Sequence, residues 1–260
     1  MTVGADLARL YDLDLAEDLD DLDLYRALAA RCGGPVLELA AGSGRLAVPL
    51  ACGGLEVVAV DNDPAMLDRA RSRWAGERRT RRVLPGGHLE LVDADLFDLA
   101  LEPRFGLVIL ALNTLFLLGD AGRQRAVLAA MARHLRRGGL AVVDAWIPSA
   151  DDLAIYDGRV VLEWVRDDPE SGDRVVKLAS ASYDPPTRRL DLTSIFESAP
   201  PEGGPLSRHL RRDVLHLTSA AEVVQAATDA GLAVDQVGGD HDLTAFGPGS
   251  SRVVLIAGLV

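Results

Sequence analysis

Lysine is almost missing from this chain of 260 residues. Lys177 is the only one, and 27 basic residues face 39 acidic ones, for a formal charge of −12. Without a lysine beside a glycine-rich loop, phosphate-cradling P-loop chemistry is excluded. A protein that binds nucleic acid nonspecifically wants the opposite net charge, so no nucleic-acid partner is expected. Aromatic residues make up 5% of the chain, and no stacking platform for single strands accompanies its arginines. Two cysteines, Cys32 and Cys52, do not make a disulfide framework, and both read as buried free thiols. The most apolar stretch, 105–118, contains Asn113 and is shorter than a membrane span. The N-terminus is acidic and lacks a signal-like apolar run. A cytoplasmic protein with no membrane partner is expected. Against these absences stands an ordinary globular balance, 48% hydrophobic and 25% charged, with no internal repeat or low-complexity tract.

Valine- and leucine-rich runs alternate with helical patterns through the first half. Residues 36–40, 56–60, 89–92, 105–111 and 140–145 read as strands without polar alternation. A helix runs into Leu28 and stops at Gly33, Gly34 and Pro35. Others are expected from 45 to 51, from Pro64 to about Gly76 with Asp63 as N-cap, and from Asp120 or Ala121 to Leu135. The last is read as closed by Arg136, Arg137, Gly138 and Gly139, cations in a final turn before glycine. Buried strands separated by helices argue for an α/β fold, a parallel sheet covered on both faces. Ligands of such sheets bind outside the carboxyl ends of the strands.

The character changes after Pro148. Residues 159–167, 174–183, 189–198 and 208–217 read as strands with no helix between them, separated by turns such as Asp184-Pro185-Pro186. Ser219 and Glu222 form a capping box that opens a helix ending at Gly231. Strands at 232–237 and 252–257 close the chain. The organisation is therefore an N-terminal helical cap (1–35), a core (36–149 and 218–260) and an antiparallel insertion (150–217).

The strongest chemical signal is Glu38-Leu39-Ala40-Ala41-Gly42-Ser43-Gly44-Arg45, directly after the first strand. Its glycines permit a tight turn and a close backbone approach to a ligand. Asp61 ends the second strand, where a carboxylate can accept both hydroxyls of a ribose. Asp95 lies just past the third, within reach of an adenine. A nicotinamide site follows the same plan, but Ala40, Gly42 and Gly44 with Arg45 depart from its full glycine fingerprint.

Residues 36–45 resemble the first motif of the class I S-adenosylmethionine-dependent methyltransferases. Residues 57–67 resemble the second-strand motif, 92–96 the adenine-contacting motif and 108–118 the fourth-strand motif. Closest in character are small-molecule N-methyltransferases of the aminosugar and glycine types. The resemblance implies a doubly wound, mostly parallel seven-stranded sheet of order 3-2-1-4-5-7-6 with the last strand antiparallel. It implies S-adenosylmethionine as cofactor and S-adenosylhomocysteine as product. Glu38 and the backbone of Ala40 to Gly42, with Gly44 in the same loop, would hold the amino-acid end, and Asp61 the ribose. Asn62 and Met66 would border the adenine, Asp95 would bind its amino group, and Leu96 would lie nearby. Asn113 would line the methionine portion, and Tyr11 would close over the cofactor if it is not a surface aromatic.

The acceptor side is read from few residues. His241, between Asp240 and Asp242, is the candidate general base; otherwise it is a loop histidine paired with those neighbours. Asn113 is the second catalytic candidate. Trp146, Tyr156, His209 and His216 are candidates for the acceptor pocket. No metal is expected, because Asp144, His241 and the nearby acids lack ligand spacing in the sequence. His134, near a helix end, reads as a surface residue, and the arginines of 69–82 as a solvated helix end. The expectation is methyl transfer to a nitrogen or oxygen of a small molecule. Arginine in place of lysine, with abundant alanine and glycine, hints at natural product biosynthesis in a GC-rich bacterium. The insertion would form an acceptor lid or a homodimer contact. Two alternatives remain: non-methyl chemistry on the same cofactor (decarboxylation, hydroxylation or cyclisation), or a noncatalytic binding or oligomerisation module. Product mass separates the first from methyl transfer, and binding without turnover marks the second.

Overall fold

The computed structural model describes residues 4–17, 20–102 and 104–259. Two helices come first, α1 (Ala5–Asp14) and α2 (Leu22–Cys32). The core follows as β1 (Val36–Leu39), α3 (Ala47–Cys52), β2 (Glu56–Asp61), α4 (Pro64–Arg79), β3 (His88–Asp93), β4 (Phe105–Leu110), α5 (Thr114–Leu117), α6 (Ala121–His134) and β5 (Leu135–Trp146). After α7 (Ala150–Ile155) come four consecutive strands, β6 (Asp157–Asp167), β7 (Arg174–Asp184), β8 (Arg189–Ala199) and β9 (Ser207–His216). Helix α8 (Ala220–Asp229), β10 (Leu232–Gly238) and β11 (Arg252–Leu259) return to the core.

The core sheet runs β3-β2-β1-β4-β5-β11-β10, the order the resemblance implies, and β11 is antiparallel to both neighbours. The insertion is a separate antiparallel sheet, β6-β7-β8-β9. Alternate residues of each buried strand face opposite layers. Leu37, Leu39, Val108 and Leu110 join one core with α6, α8 and the inserted-sheet residues Leu190 and Leu215. Val36, Val57, Leu107, Ile109 and Val142 join the other with α2 and α3. Glu38 falls on this second face, a carboxyl group placed among apolar side chains by strand parity alone.

The predicted caps set the helix starts. Asp63 accepts from the amides of Ala65 and Met66 (2.9 and 3.4 Å) with Pro64 in the first turn. Ser219 and Glu222 bond reciprocally at α8. A second capping box, Ser149 with Asp152, opens the unforeseen α7. The predicted end of α6 needs correction. The helix stops at His134, and residues 136–139 already belong to β5. Arg136 reaches away to donate to the carbonyl of Cys32, so its charge satisfies the end of α2. His134 is buried, not a surface residue: Nδ1 meets the Ala130 carbonyl (2.8 Å) and Nε2 accepts from the Leu101 amide (3.1 Å). The thiols are free, as read, but only half-buried. No helix of the described residues is long and apolar enough to cross a membrane.

Candidate functional site

A cleft of about 600 Å³ opens over the carboxyl ends of β1, β2 and β4. Its floor is made by Ala40, Gly42, Asp61, Asn62 and Met66, and the segment after β3 adds Asp95, Leu96 and Phe97. Tyr11 of α1 closes one side. The wall opposite comes from the insertion, Arg211 to Val214 of β9, together with Leu117, Leu118 and Arg123. Eight of the predicted cofactor residues therefore line one space.

Backbone geometry shapes the floor. Both β1 and β4 end in left-handed turns, with Ala40 at φ 53°, Leu112 at 52° and Asn113 at 60°. Non-glycine residues hold such angles only where surrounding structure imposes them. Gly42, also left-handed at φ 55°, donates its amide to Asp61 Oδ2 at 2.7 Å, and Asp61 Oδ1 accepts from the Asp63 amide at 2.9 Å. The turn after β1 is thereby tied to the end of β2. Burial pushes the Asp61 carboxyl above its ordinary value, against the pull of those amides.

Helix α1 is held down from two sides. Asp12 accepts from Ser43 and Arg69 and faces Arg73 at 3.3 Å, fixing the helix to the core. Asp14 accepts from Trp164 Nε1 (2.9 Å) and Lys177 Nζ (2.7 Å), fixing it to the insertion. The Arg211 guanidinium lies over the Tyr11 ring at 5.0 Å. Arg69, Arg71 and Arg73 of the arginine-rich stretch are thus in ion pairs rather than merely solvated, with partners Asp12, Asp68 and Glu170.

Several predicted residues do other work. Gly44 lies outside the cleft lining. A Cβ there would meet Val48 Cγ2 at 3.0 Å and Ala70 Cβ at 3.2 Å, so the glycine lets α3 and α4 close together. Asn113 is likewise outside the lining: its Oδ1 accepts the Trp146 amide at 2.5 Å and clasps β4 to β5. The rings of Trp146 and Tyr156 meet at a 54° tilt, centroids 6.3 Å apart; both side chains are partly buried against the core rather than in the cleft lining. His209 and His216 flank the four β9 residues that do line the cleft. Arg211, Arg212, Arg123, Phe97 and Leu112 were not anticipated. The insertion was recognised, but which β9 residues meet the core depends on the sheet's placement.

His241 faces a second pocket of about 270 Å³, lined by Asp20, Asp21, Arg45, Leu112, His241 and Arg252. Leu112 borders both spaces. His241 Nε2 lies 3.3 Å from Asp144 Oδ2, not on its sequence neighbours, and Arg252 donates to Asp144 Oδ1 at 2.5 Å. Burial pushes the Asp144 carboxyl up, but His241 and Arg252 outweigh it and hold the group below its ordinary value. The tertiary fold does bring ligand atoms of Asp21, Asp144 and His241 within 4.8 Å, a grouping invisible in sequence spacing. Asp21 is already taken bidentately by Arg45 (2.7 and 2.5 Å). A cation there would compete with two guanidinium groups for both carboxylates.

On the same face, Glu38 is 5% exposed and its Oε2 touches no donor. Burial pushes its pKa up to about 8, with Arg45 pulling the other way. An orphaned, buried acceptor beside the turn after β1 fits a cationic group arriving at that turn. Glu38 itself lies outside the cleft lining; with the glycine turn and Asp61 beside it, its acceptor oxygens suit an amino-acid nucleoside.

By its sheet order and its site together, the chain has the class I S-adenosylmethionine-dependent methyltransferase fold. The family described as a methyltransferase domain matches residues 36–139. Among curated relatives, a cypemycin N-terminal methyltransferase from a Streptomyces species is 35% identical over 129 residues, 50% of this chain and 49% of that protein. The chain spans half or less of the length of the curated relatives it matches. Among solved structures, the CcbJ methyltransferase from Streptomyces caelestis is 27% identical over 93% of this chain and 89% of its own, with a TM-score of 0.77. The amino pentose methyltransferase CalS10 of Micromonospora echinaspora, solved with S-adenosylmethionine bound, shares the fold at 22% identity, covering 96% and 97%, TM-score 0.69.

Proposed function

We propose that this protein transfers a methyl group from S-adenosylmethionine to a nitrogen of a small natural-product-type acceptor. The observation that carries the reading is the composition of the cleft over β1, β2 and β4. Cofactor-type residues (Asp61, Met66, Asp95, Leu96) form one side, and the inserted strand β9 with Leu117 and Leu118 forms the other. When bound, the cofactor supplies a methyl carbon already activated by its sulfonium. What the chain must add is alignment and exclusion of water. Tyr11 and α1, latched by Asp12 and Asp14, cover the cofactor side. Leu117, Leu118 and Val214 give the acceptor side apolar surface.

Nitrogen is favoured over oxygen because the described residues of the cleft lining include no histidine, and each aspartate there already has partners: Asp61 the Gly42 and Asp63 amides, Asp63 the first amides of α4, Asp95 the Phe97 amide and Asp213 the Arg211 guanidinium. A neutral amine brings its own lone pair, whereas a hydroxyl needs a base within hydrogen-bond reach. The relatives named for an amino pentose and for a peptide N-terminus both present amines, and the acceptor panel follows from them. The protein is incubated with isotopically methyl-labelled S-adenosylmethionine and amino sugars, small peptides with free N-termini, and matched hydroxyl compounds. Labelled amine gaining one CH₂ in mass supports the reading. Labelled hydroxyl products would reassign the acceptor atom, and a product without added CH₂ would reassign the reaction. Asp61→Ala is expected to abolish cofactor binding in calorimetric titration.

A further inference from the structure

The arginine-rich stretch 69–82 divides in two. Arg69, Arg71 and Arg73 are in ion pairs. Among the described residues, no ion pair includes Arg78, Arg79, Arg81 or Arg82, and all four are exposed. Cations in a last turn complement the helix dipole, which accounts for Arg78 and Arg79 at the end of α4. It does not account for Arg81 and Arg82, which follow the C-cap Thr80, with Arg81 at a left-handed φ of 56°. Glu77 is the only acid from 77 to 82, on a chain of net charge −12.

Beside these arginines lies a groove of about 410 Å³. Val48, Pro49 and Leu84 give it apolar surface, and Arg26, Arg73, Arg82 and Glu77 are its charged lining. Leu84 is 59% exposed, yet its backbone is fixed. Its amide donates to the Cys52 carbonyl at 2.9 Å, and a Cβ on Gly87 would meet the Ala51 carbonyl oxygen at 2.2 Å. The segment before β3 is thus packed on the end of α3, which holds Leu84 out beside the groove. Among the described residues, the groove shares no lining residue with the cofactor cleft. It lies where the chain enters β2 and β3, at the sheet edge opposite the cleft.

We propose that this groove docks an acidic peptide segment of a partner protein, which sets an apolar side chain against Leu84 and Pro49 and its carboxylates against Arg79, Arg81 and Arg82. Charge complementarity selects this occupant. Cations cluster here on a chain that is otherwise strongly acidic, so the patch attracts what the rest of the surface repels. The apolar floor adds a requirement that a plain polyanion does not meet. A nucleic acid fits poorly, because the lining offers no aromatic ring for a base and sets Glu77 against phosphates. A second copy of this chain in a two-fold contact would bring the same cations against one another. Docking at this edge leaves the cofactor cleft open. Exposed ion pairs around one apolar anchor make a weak, transient contact that salt screens.

Fluorescence anisotropy of the full chain with labelled synthetic probes tests it. The probes are a glutamate-rich peptide of about 15 residues with leucines at helical spacing, the same peptide with serine for leucine, the same with lysine for glutamate, and a DNA oligonucleotide. The acidic leucine peptide is expected to bind with Kd of about 100 μM or tighter at low salt, and at least about threefold more weakly at 0.3 M salt. The serine and lysine peptides should bind at least tenfold more weakly. The double variant Arg79→Glu/Arg82→Glu and, separately, Leu84→Ser should each cost at least tenfold. Both should keep the circular dichroism and the S-adenosylmethionine affinity of the parent, since neither touches the cleft. No binding of the acidic leucine peptide, equal binding of the serine peptide, binding indifferent to both variants, or tighter binding of DNA would overturn the proposal. Self-association of the chain that Leu84→Ser abolishes would give the groove to a second copy and overturn it equally.

Discussion

Glu38→Gln exchanges a carboxyl group for a neutral group of the same shape at a buried position on β1. Glu38 is 5% exposed, its Oε2 has no donor, and burial pushes its pKa from 4.5 to about 8. The unfolded chain releases this proton near the lower value, and the folded chain keeps it until the higher. Between the two, the native state binds more protons than the unfolded state, so stability falls as pH rises. The slope is about 1.4 kcal/mol per pH unit, and over the whole window the loss is on the order of 4 to 5 kcal/mol. The contribution is complete below the unfolded value and gone above the folded one. Glutamine cannot titrate, so the variant lacks this slope. Urea unfolding of both proteins at about pH 5.5, 6.5 and 7.5 measures it, provided the transitions are two-state. The difference between the two stabilities should shrink or reverse by about 1.4 kcal/mol for each unit of rising pH. Parallel profiles would refute the reasoning and mean that Glu38 is already an ionised partner of Arg45. A cationic amino group seated against Glu38 would also expel its proton. Calorimetric titration with S-adenosylmethionine near neutral pH, in buffers of different ionisation enthalpy, should then show proton release that the variant lacks.

Gly44→Ala combines φ 76° with contacts at 3.0 and 3.2 Å to side chains of α3 and α4; a loss of about 1–3 kcal/mol is expected in denaturant unfolding. Asn113→Ala removes the acceptor of the Trp146 amide at a left-handed position, and about 1–3 kcal/mol should be lost, read as a lower Tm. Asp144→Asn leaves Arg252 and His241 without their buried carboxylate and should cost about 3–5 kcal/mol. In the wild type, the stability due to Asp144 is present above its unfolded pKa and is lost as acid titrates it through the depressed folded value. Acid unfolding of the Asn variant should lack that component.

The fold was legible because each of its signals is local. The runs at 57–60 and 105–110 are apolar on both faces, and 36–40 is broken only by Glu38, a pattern that a covered parallel sheet accommodates. Asp63, Pro64, Ser219 and Glu222 mark helix starts within three residues of themselves. The cofactor side of the cleft was legible for the same reason: Ala40, Gly42, Asp61 and Asp95 sit at ends of adjacent strands, and parallel order brings such ends together. Strand parity alone already turned Glu38 toward one layer, though its orphaned oxygen appeared only once α2 and α3 were packed over it. Arg136, Asn113 and Gly44 had correct residue types but other partners: a helix end far along the chain, the last residue of β5, and a helix–helix contact. His241 found a carboxylate 97 positions away rather than those beside it. The sheet, its order through resemblance, and the residues at its carboxyl edge could be read from the chain alone, because they follow from periodicity and from the turns between neighbouring elements. Packing between distant parts of the chain sets which four residues of β9 wall the cleft, what His241 meets, and that residues 160–162 of β6 stay exposed while Trp164 and Arg166 bond to α1. The β9 wall and the exposure of β6 depend on how the inserted sheet is set through long-range ion pairs such as Asp14 with Lys177, and the His241 contact on the segment between β10 and β11 meeting β5; no local pattern encodes either.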